Sequence, residues 1–535
     1  MSNILSSFMP SPVETLQRKV EQVMMIDLPG HVLSGDTESR IREHAWGGVI
    51  LFAKNVQSRG QVARLCADLQ KLSGTPLLVA VDQEGGLVNR LAFEDSATGC
   101  GNMALSATGS EDLTYQVCQA SARELRSAGF NVDFAPCIDI NSNPANPIIG
   151  VRSFGQSPGR VARFGAAAVR GYQDGGISAC AKHFPGHGDT HLDSHEALPR
   201  VDRPVEQLER EELWPFRAAI EAGVDGVMTA HIVYPTLDAT PGLPATLSGP
   251  ILTGLLREKM KFDGVIYSDS LLMKAIADNF GMGEAAVQSL AAGADMILAL
   301  GPQDVQEECV ATVCLAIEEG RLPKARLDDA FRRVVALKRK RGAGKPHDGA
   351  ASSSADMDVV RKAAEASITV LRNPGLLPLA ASSNVLVLTP SSLPHSPLGD
   401  LTPFPHLQAS FNRYRPEAEV VAFAGSDERL PLDDLVARAT GRDAVVLGLY
   451  ARSGLQPQHL ELARRLDGTP LIVLLLASPY VAHQLPERAA LVTGYNCTRW
   501  SVDAMVQVVL GLKPPQGHCP VALAGIGEEG LGLTW

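Results

Sequence analysis

Eight short apolar, β-rich runs recur between residues 23 and 300, each followed by a segment of helical period. They fall at residues 23–28, 48–52, 77–81, 132–138, 177–181, 227–228 with their neighbours, 264–267 and 296–300. Eight strand–helix units in about 300 residues fit a (β/α)8 barrel better than a doubly wound sheet. Polar residues cluster just past the runs: Lys54 and Asn55, Asp82, Asp139 and Asn141, Lys182 and His183, His231, and Asp269. Any one of them reads equally well as a turn or cap residue. Their recurrence is what a barrel's active face, at the C-terminal ends of its strands, requires.

At 535 residues the chain exceeds one ordinary domain. The stretch 341–356, with Gly342, Gly344, Pro346 and Ser352-Ser353-Ser354, reads as a linker. We therefore expect a TIM-like barrel over residues 1–341, a linker over 342–356 and a C-terminal open α/β sandwich domain over 357–535. Apolar runs at 368–371, 385–388, 420–423, 444–449, 471–476 and 490–492, with helical patterns such as 460–466 between them, support the second domain. No repeat of 20–50 residues is visible.

A formal net charge of −11 argues against a nucleic-acid binder, which needs a basic face. The basic run Lys338-Arg339-Lys340-Arg341 closes a helical pattern before Gly342 and reads as cations at a helix C-terminus. Nine scattered cysteines, an odd number with no Cys-x-x-Cys pair, point to a reduced setting rather than a disulfide framework. Residues 1–22 lack a charged n-region followed by an apolar stretch, and no run of about 18 apolar residues occurs. The expectation is a cytoplasmic protein with no membrane partner.

The chemistry is densest in Lys182-His183-Phe184-Pro185-Gly186-His187-Gly188-Asp189-Thr190-His191-Leu192-Asp193-Ser194-His195. Its proline and glycines disfavour a long helix or flat strand. The simplest arrangement is a buried strand, 177–181, that delivers Lys182 and His183 at its end and continues as a loop. Asp193 and His195, two apart in an extended loop, point to one side, so the carboxylate can orient and polarise the imidazole as a general acid/base. Asp269, directly after the run 264–267, is placed to serve as a nucleophile toward an anomeric carbon, or to cap the next helix. In Asp82-Gln83-Glu84-Gly85-Gly86-Leu87-Val88-Asn89-Arg90, Asp82 can accept sugar hydroxyls, and Arg90 can bind a substrate oxygen or neutralise Asp82 as a structural ion pair.

Taken together, Asp82-Gln83-Glu84-Gly85-Gly86 with Arg90, Arg152-Ser153-Phe154-Gly155, the 182–195 segment, and Ser268-Asp269 resemble the family 3 glycoside hydrolases, in the family's order. The closer resemblance is to its bacterial β-N-acetylglucosaminidase branch, and Gly517-His518-Cys519-Pro520-Val521 is similar to the motif that ends the family's second domain, with Cys519 replacing a leucine. The resemblance implies a retaining double displacement on a carbohydrate with a terminal β-linked GlcNAc. Asp269 is the implied nucleophile, and His195, oriented by Asp193, the implied acid/base, where the usual arrangement is a second carboxylic acid. Asp82, Arg90, Arg152, Lys182 and His183 are the implied sugar-binding set. For Lys182 and His183 the alternative is structural pairing with Asp82 or Asp139. Met228 and His231 can line the pocket, whereas His187, Asp189 and His191 have no assigned role beyond loop structure. An imidazole repels an anion less than a carboxylate does, so phosphorolysis stands as the alternative second half-reaction. No cofactor or metal is implied. The second domain either completes the pocket or pairs two chains as a homodimer.

Two other function classes compete. A metal-dependent hydrolase could use His183, His187, Asp189, His191, Asp193 and His195, but Pro185 with Gly186 and Gly188 break the helical spacing its ligands need. A silent sugar binder on the same scaffold has no use for Asp193, His195 and Asp269. Gly525-Ile526-Gly527-Glu528-Glu529-Gly530 matches a dinucleotide fingerprint, yet too few residues follow it for a helix.

Overall fold

The computed structural model describes residues 15–91, 93, 96–191, 193, 198–345, 352–394, 401–425 and 429–535. The first eight strands are β1 (Met24–Asp27), β2 (Gly48–Leu51), β3 (Leu78–Val81), β4 (Val132–Asp133), β5 (Ser178–Phe184), β6 (Gly226–Thr229), β7 (Val265–Tyr267) and β8 (Ile297–Leu298). They pair in parallel in the order β7-β6-β5-β4-β3-β2-β1-β8. A parallel bridge between Tyr267 and Met296, with Ser268 N donating to Met296 O at 2.9 Å, closes the ring. Every strand residue is buried, which is why these segments read as continuous Val, Ile, Leu and Ala rather than as alternating patterns.

Two strands differ from their sequence expectation. The run 132–138 yields only a two-residue β4, because Pro136 has no N–H for the ladder, and pairing resumes at a single bridge from Cys137 to Lys182. Conversely, β5 does not stop at Ala181 but continues through Phe184, with a register irregularity against β6. Lys182 and His183 are thus residues of a buried strand.

The second sheet contains β9 (Thr369–Arg372), β10 (Val385–Pro390), β13 (Glu419–Phe423), β14 (Ala444–Leu449), β15 (Leu471–Leu475) and β16 (Ala490–Thr493), with β11 (Ser392–Pro394) and β12 (Leu401–Pro403) forming a small separate hairpin. Its order is β13-β10-β14-β15-β16-β9, all parallel except the antiparallel edge strand β9. The helix Ser354–Ser367 begins inside the stretch read as linker, because Ser353 and Asp356 form a capping box. That helix packs on Glu111–Ser127 of the barrel, where Arg123 pairs with Asp356.

Further ties join the two parts. Asn141 Nδ2 donates to Tyr480 Oη at 2.8 Å, Asn496 Nδ2 to the Cys100 carbonyl at 2.8 Å, and His518 N to the Ala107 carbonyl at 2.9 Å. The segment 517–521 therefore returns to the barrel. Lys340 and Arg341 both pair with the buried Asp225, so the basic run locks the last barrel helix onto the base of β6. All nine cysteines are free thiols. Among the described residues no helix is long and apolar enough to cross a membrane.

Candidate active site

The C-terminal ends of β3, β4 and β5 hold a chain of alternating charges. Lys182, in β5, donates to Asp82 Oδ1 at 2.6 Å and contacts Glu84 Oε1 at 2.7 Å. Arg152 grips the same Glu84 in a fork, Nη2 to Oε1 at 2.8 Å and Nε to Oε2 at 2.9 Å, the geometry a guanidinium is built for. His183 Nδ1 meets Asp139 Oδ2 at 2.7 Å, which leaves Nε2 to accept from Arg152 Nη2 at 3.4 Å. Lys182 and His183 thus make both pairings that their sequence context offers, Lys182 with Asp82 and His183 with Asp139.

The electrostatics follow from burial. Burial opposes ionisation of Glu84, but the Arg152 and Lys182 cations overcome it and hold its carboxyl well below the usual range. Burial likewise opposes the Lys182 charge, and Asp82 and Glu84 more than restore it, so its ammonium is held above its ordinary value. Asp139 is also held low, since burial is outweighed by His183. Asp133 is the opposite case. Fully buried in β4, its Oδ1 accepts Gln83 N at 2.9 Å while its Oδ2 has no partner, and burial pushes its pKa well above the ordinary aspartate value. Asp133 is thus shifted in the opposite direction from the carboxyls of the network above it.

Arg90 departs from one expectation. Asp82 takes its cation from Lys182, and no Arg90–Asp82 pair occurs among the described residues. Arg90 is held through its backbone, N donating to Gln83 Oε1 at 2.7 Å, and its buried Nε has no hydrogen-bond partner among the described residues. The turn that brings it there needs Gly85, at φ +80°, where a Cβ would stand 2.7 Å from the Gly99 carbonyl oxygen.

Across the mouth, Asp269 follows β7. Its N–H points to Thr229 Oγ1 at 3.4 Å, and its Oδ1 accepts Ser270 N at 2.7 Å. His231 is buried behind it, Nδ1 against Thr246 Oγ1 at 2.8 Å and Nε2 donating to the Ser270 carbonyl at 2.9 Å. His231 is thus a support for the backbone next to Asp269. Met228, in β6, is buried.

Beyond β5 the chain folds over the segment 141–146. Asn143 Nδ2 donates to the Thr190 carbonyl at 3.1 Å, and Asn146 Nδ2 to the His187 carbonyl at 2.9 Å. His187 N donates to Asp139 Oδ1 at 2.7 Å, and burial lowers the His187 imidazole to about 4. Gly188 sits so close to the Ile140 carbonyl oxygen that a Cβ would lie 1.6 Å from it. These contacts give His187, Gly188 and Asn143 structural work in the loop. Asp193 is half-buried, and the predicted partner His195 lies outside the described residues. Among the described residues that a metal-dependent hydrolase would use, only His183 falls in a group with ligand atoms mutually within 4.8 Å, the others of that group being Cys137 and Asp139. Asp139 already receives Cys137 Sγ at 3.2 Å, the backbone N–H and Nδ1 of His183, and the His187 N–H.

The C-terminal domain reaches this mouth. Tyr450 and Arg452, just past β14, line a cavity with Leu87, Ile148 and Arg152, and Arg452 Nη2 points at the Ile148 carbonyl at 3.5 Å. Sequence reasoning gave no role to Glu84, the carboxylate shared by Lys182 and Arg152. Its position two after Asp82 in front of a double glycine was the available signal. Asn143 and Asn146 were missed as well; the spacing of three asparagines after a strand marked them.

Comparison with known proteins adds the lineage. The model of the glycosyl hydrolase family 3 N terminal domain matches residues 15–337. Beta-hexosaminidase A of Pseudoalteromonas piscicida is 38% identical over 372 residues, 64% of this chain and 62% of that protein, so the match spans less than two thirds of that relative. A beta-hexosaminidase of Thiobacillus denitrificans is 37% identical over 295 residues, covering 54% of this chain and 80% of its own. The structure of a glycoside hydrolase family 3 beta-N-acetylglucosaminidase from Paenibacillus sp. str. FPU-7 superposes with a TM-score of 0.89 at 36% identity, over 95% of this chain and 99% of that one. With its barrel, its mixed-sheet second domain and a family model that matches more than half of its length, the chain belongs to glycosyl hydrolase family 3.

Proposed function

We propose that the chain is a retaining exo-β-N-acetylglucosaminidase, hydrolysing terminal non-reducing GlcNAc from β-glycosides such as peptidoglycan- or chitin-derived fragments. The observation that carries this reading is the 36% identity over 99% of a solved β-N-acetylglucosaminidase. The geometry of the mouth supports it. Asp269 stands at a strand end facing a preformed polar wall of Asp82, Lys182, Arg152 and His183.

In the first step an Asp269 oxygen bonds to the anomeric carbon as the glycosidic C–O bond breaks, and His195, oriented by Asp193, gives its proton to the leaving oxygen. In the second, water attacks that carbon, its proton passes to His195 and the Asp269 ester bond breaks. Asp82, Arg90, Arg152, Lys182 and His183 hold the sugar, with the unpartnered Nε of Arg90 as a donor for a sugar oxygen. Tyr450 and Arg452 give the second domain a wall of the pocket.

The test is GlcNAc release from an aryl β-N-acetylglucosaminide, with and without inorganic phosphate, with the first-formed anomer read by NMR. Free β-GlcNAc in both conditions is expected, and Asp269→Asn should lower kcat/KM by about a thousandfold or more. First-formed α-anomer, GlcNAc 1-phosphate as the main product, or an unaffected Asp269→Asn variant would each overturn the reading.

A further inference from the structure

Arg203 joins three parts of the chain around the barrel mouth through one side chain. Its Nε donates to Asp189 Oδ2 at 2.7 Å, its Nη1 to Glu211 Oε2 and Glu212 Oε1 at 2.6 Å each, and its Nη2 to Ser142 Oγ at 3.1 Å. Its own carbonyl accepts Thr236 Oγ1 at 2.7 Å. One guanidinium thus ties the segment after β5, the segment after β4 and the junction ahead of the helix Leu213–Glu221. The planar guanidinium presents its five donors in a fixed fork spread over three nitrogens, whereas an ammonium gathers three donors on one atom.

We propose that Arg203 is a positioning residue for proton transfer, setting through Asp189 where the chain that leads to Asp193 stands over the barrel mouth. The inference rests on the reading of Asp193 and His195 as the acid/base pair. Its two sides are unequally held. The Glu212 side chain is 3% exposed and fixed in the protein, with Gly186 packed against it, whereas Asp189 is 28% exposed. The Arg203–Asp189 contact can therefore be cut without opening the core. The rest of the 186–191 foot is held mainly by the neutral hydrogen bonds of Asn143 and Asn146 and by the amide of His187 on Asp139. Those bonds fix its height against the 141–146 segment. The ionic fork adds a charged restraint at Asp189, four residues before Asp193.

The test separates proton transfer from general damage. Wild type, Asp189→Asn and Arg203→Lys are compared on 2,4-dinitrophenyl β-GlcNAc, whose leaving group needs no proton, and on 4-methoxyphenyl β-GlcNAc, whose leaving group does. In Asp189→Asn, kcat/KM for the methoxyphenyl substrate should fall about 10- to 100-fold, while the dinitrophenyl substrate changes less than about threefold. Arg203→Lys should show the same selectivity. Equal losses on both substrates, or none on either, would overturn the proposal. Since Asp189→Asn leaves the buried Arg203–Glu212 pair intact, it decides the matter even where Arg203→Lys fails to fold. Wild-type protein that turns over neither substrate would instead sink the glycosidase reading, and this inference with it.

Discussion

Replacing Glu84 by Gln should be far more damaging than the loss of one surface carboxylate. The side chains of Glu84 and Lys182 are each 2% exposed and that of Arg152 is 12% exposed. With Gln at position 84 the amide oxygen can still accept one bond, but the counter-charge is gone: Lys182 keeps Asp82 at 2.6 Å, while Arg152 keeps no carboxylate, only neutral acceptors such as the Ile148 carbonyl at 3.2 Å and His183 at 3.4 Å. Stranding a buried guanidinium in this way costs about 3–5 kcal/mol. Calorimetry should show the barrel transition lowered by roughly 5–10 °C. The double variant Glu84→Gln with Arg152→Met removes the stranded cation and should recover most of that loss, giving a coupling energy of about 2 kcal/mol or more. The pH dependence has a fixed sign. Glu84's folded pKa is depressed, so its stabilisation is present above the ordinary glutamate value and is lost as pH falls toward the folded one. Wild type and Glu84→Gln should therefore converge in acid. A single variant within about 1 kcal/mol of wild type, or additive losses in the double variant, would refute the reasoning.

Asp133 predicts the opposite pH trend: its folded pKa is raised by burial, so wild type loses stability as pH climbs above the ordinary aspartate value. Asp133→Asn should gain on wild type by up to about 1.4 kcal/mol per pH unit in that window, and a parallel pair of stability curves between pH 5 and 8 would contradict it. Gly188→Ala should leave the far-UV spectrum unchanged but lower kcat/KM about a hundredfold, because the backbone must retreat from the Ile140 carbonyl; a fully active variant would show that the foot tolerates the shift. Tyr480→Phe removes the acceptor of the Asn141 amide and should cost about 1 kcal/mol, seen in calorimetry as weaker coupling of the barrel to the C-terminal domain; unchanged transitions would mean that this hydrogen bond does not couple the two.

The barrel was legible because each strand is buried on both faces and followed by a helix, so composition alone marks it. Its finer limits were not. Pro136 shortened β4 through a missing N–H, and β5 ran on through Lys182 and His183 because their charges are neutralised across the ring by Asp82, Glu84 and Asp139. No local pattern predicts a buried lysine whose partners lie 100 residues away. The same reason hid Glu84, whose importance is the sum of two partners from different βα units. Asp269 was readable, since a carboxylate straight after a strand needs no partner to be noticed, whereas the His231 and Thr246 bracing behind it required the fold.

The two sides of the mouth are built by different means, and the chemistry explains why. A sugar-binding wall must hold its shape before the sugar arrives, or binding energy is spent on ordering it. The alternating row of Asp82, Lys182, Glu84, Arg152 and Asp139 does this, since Lys182 and Glu84 each bridge two charged partners and Asp82 and Asp139 are each held by a strand residue of β5. A nucleophile needs a single fixed position, and in the proposed reading Asp269 supplies it, its carboxylate accepting the Ser270 N–H and the following carbonyl accepting from His231. A proton carrier has to serve two oxygens in turn, that of the leaving group and that of the incoming water. The segment that leads from β5 toward Asp193 is bonded to the 141–146 segment and to Arg203, and so is set by loop contacts rather than by the sheet. A substitution in that foot should therefore change proton transfer while leaving the binding wall intact.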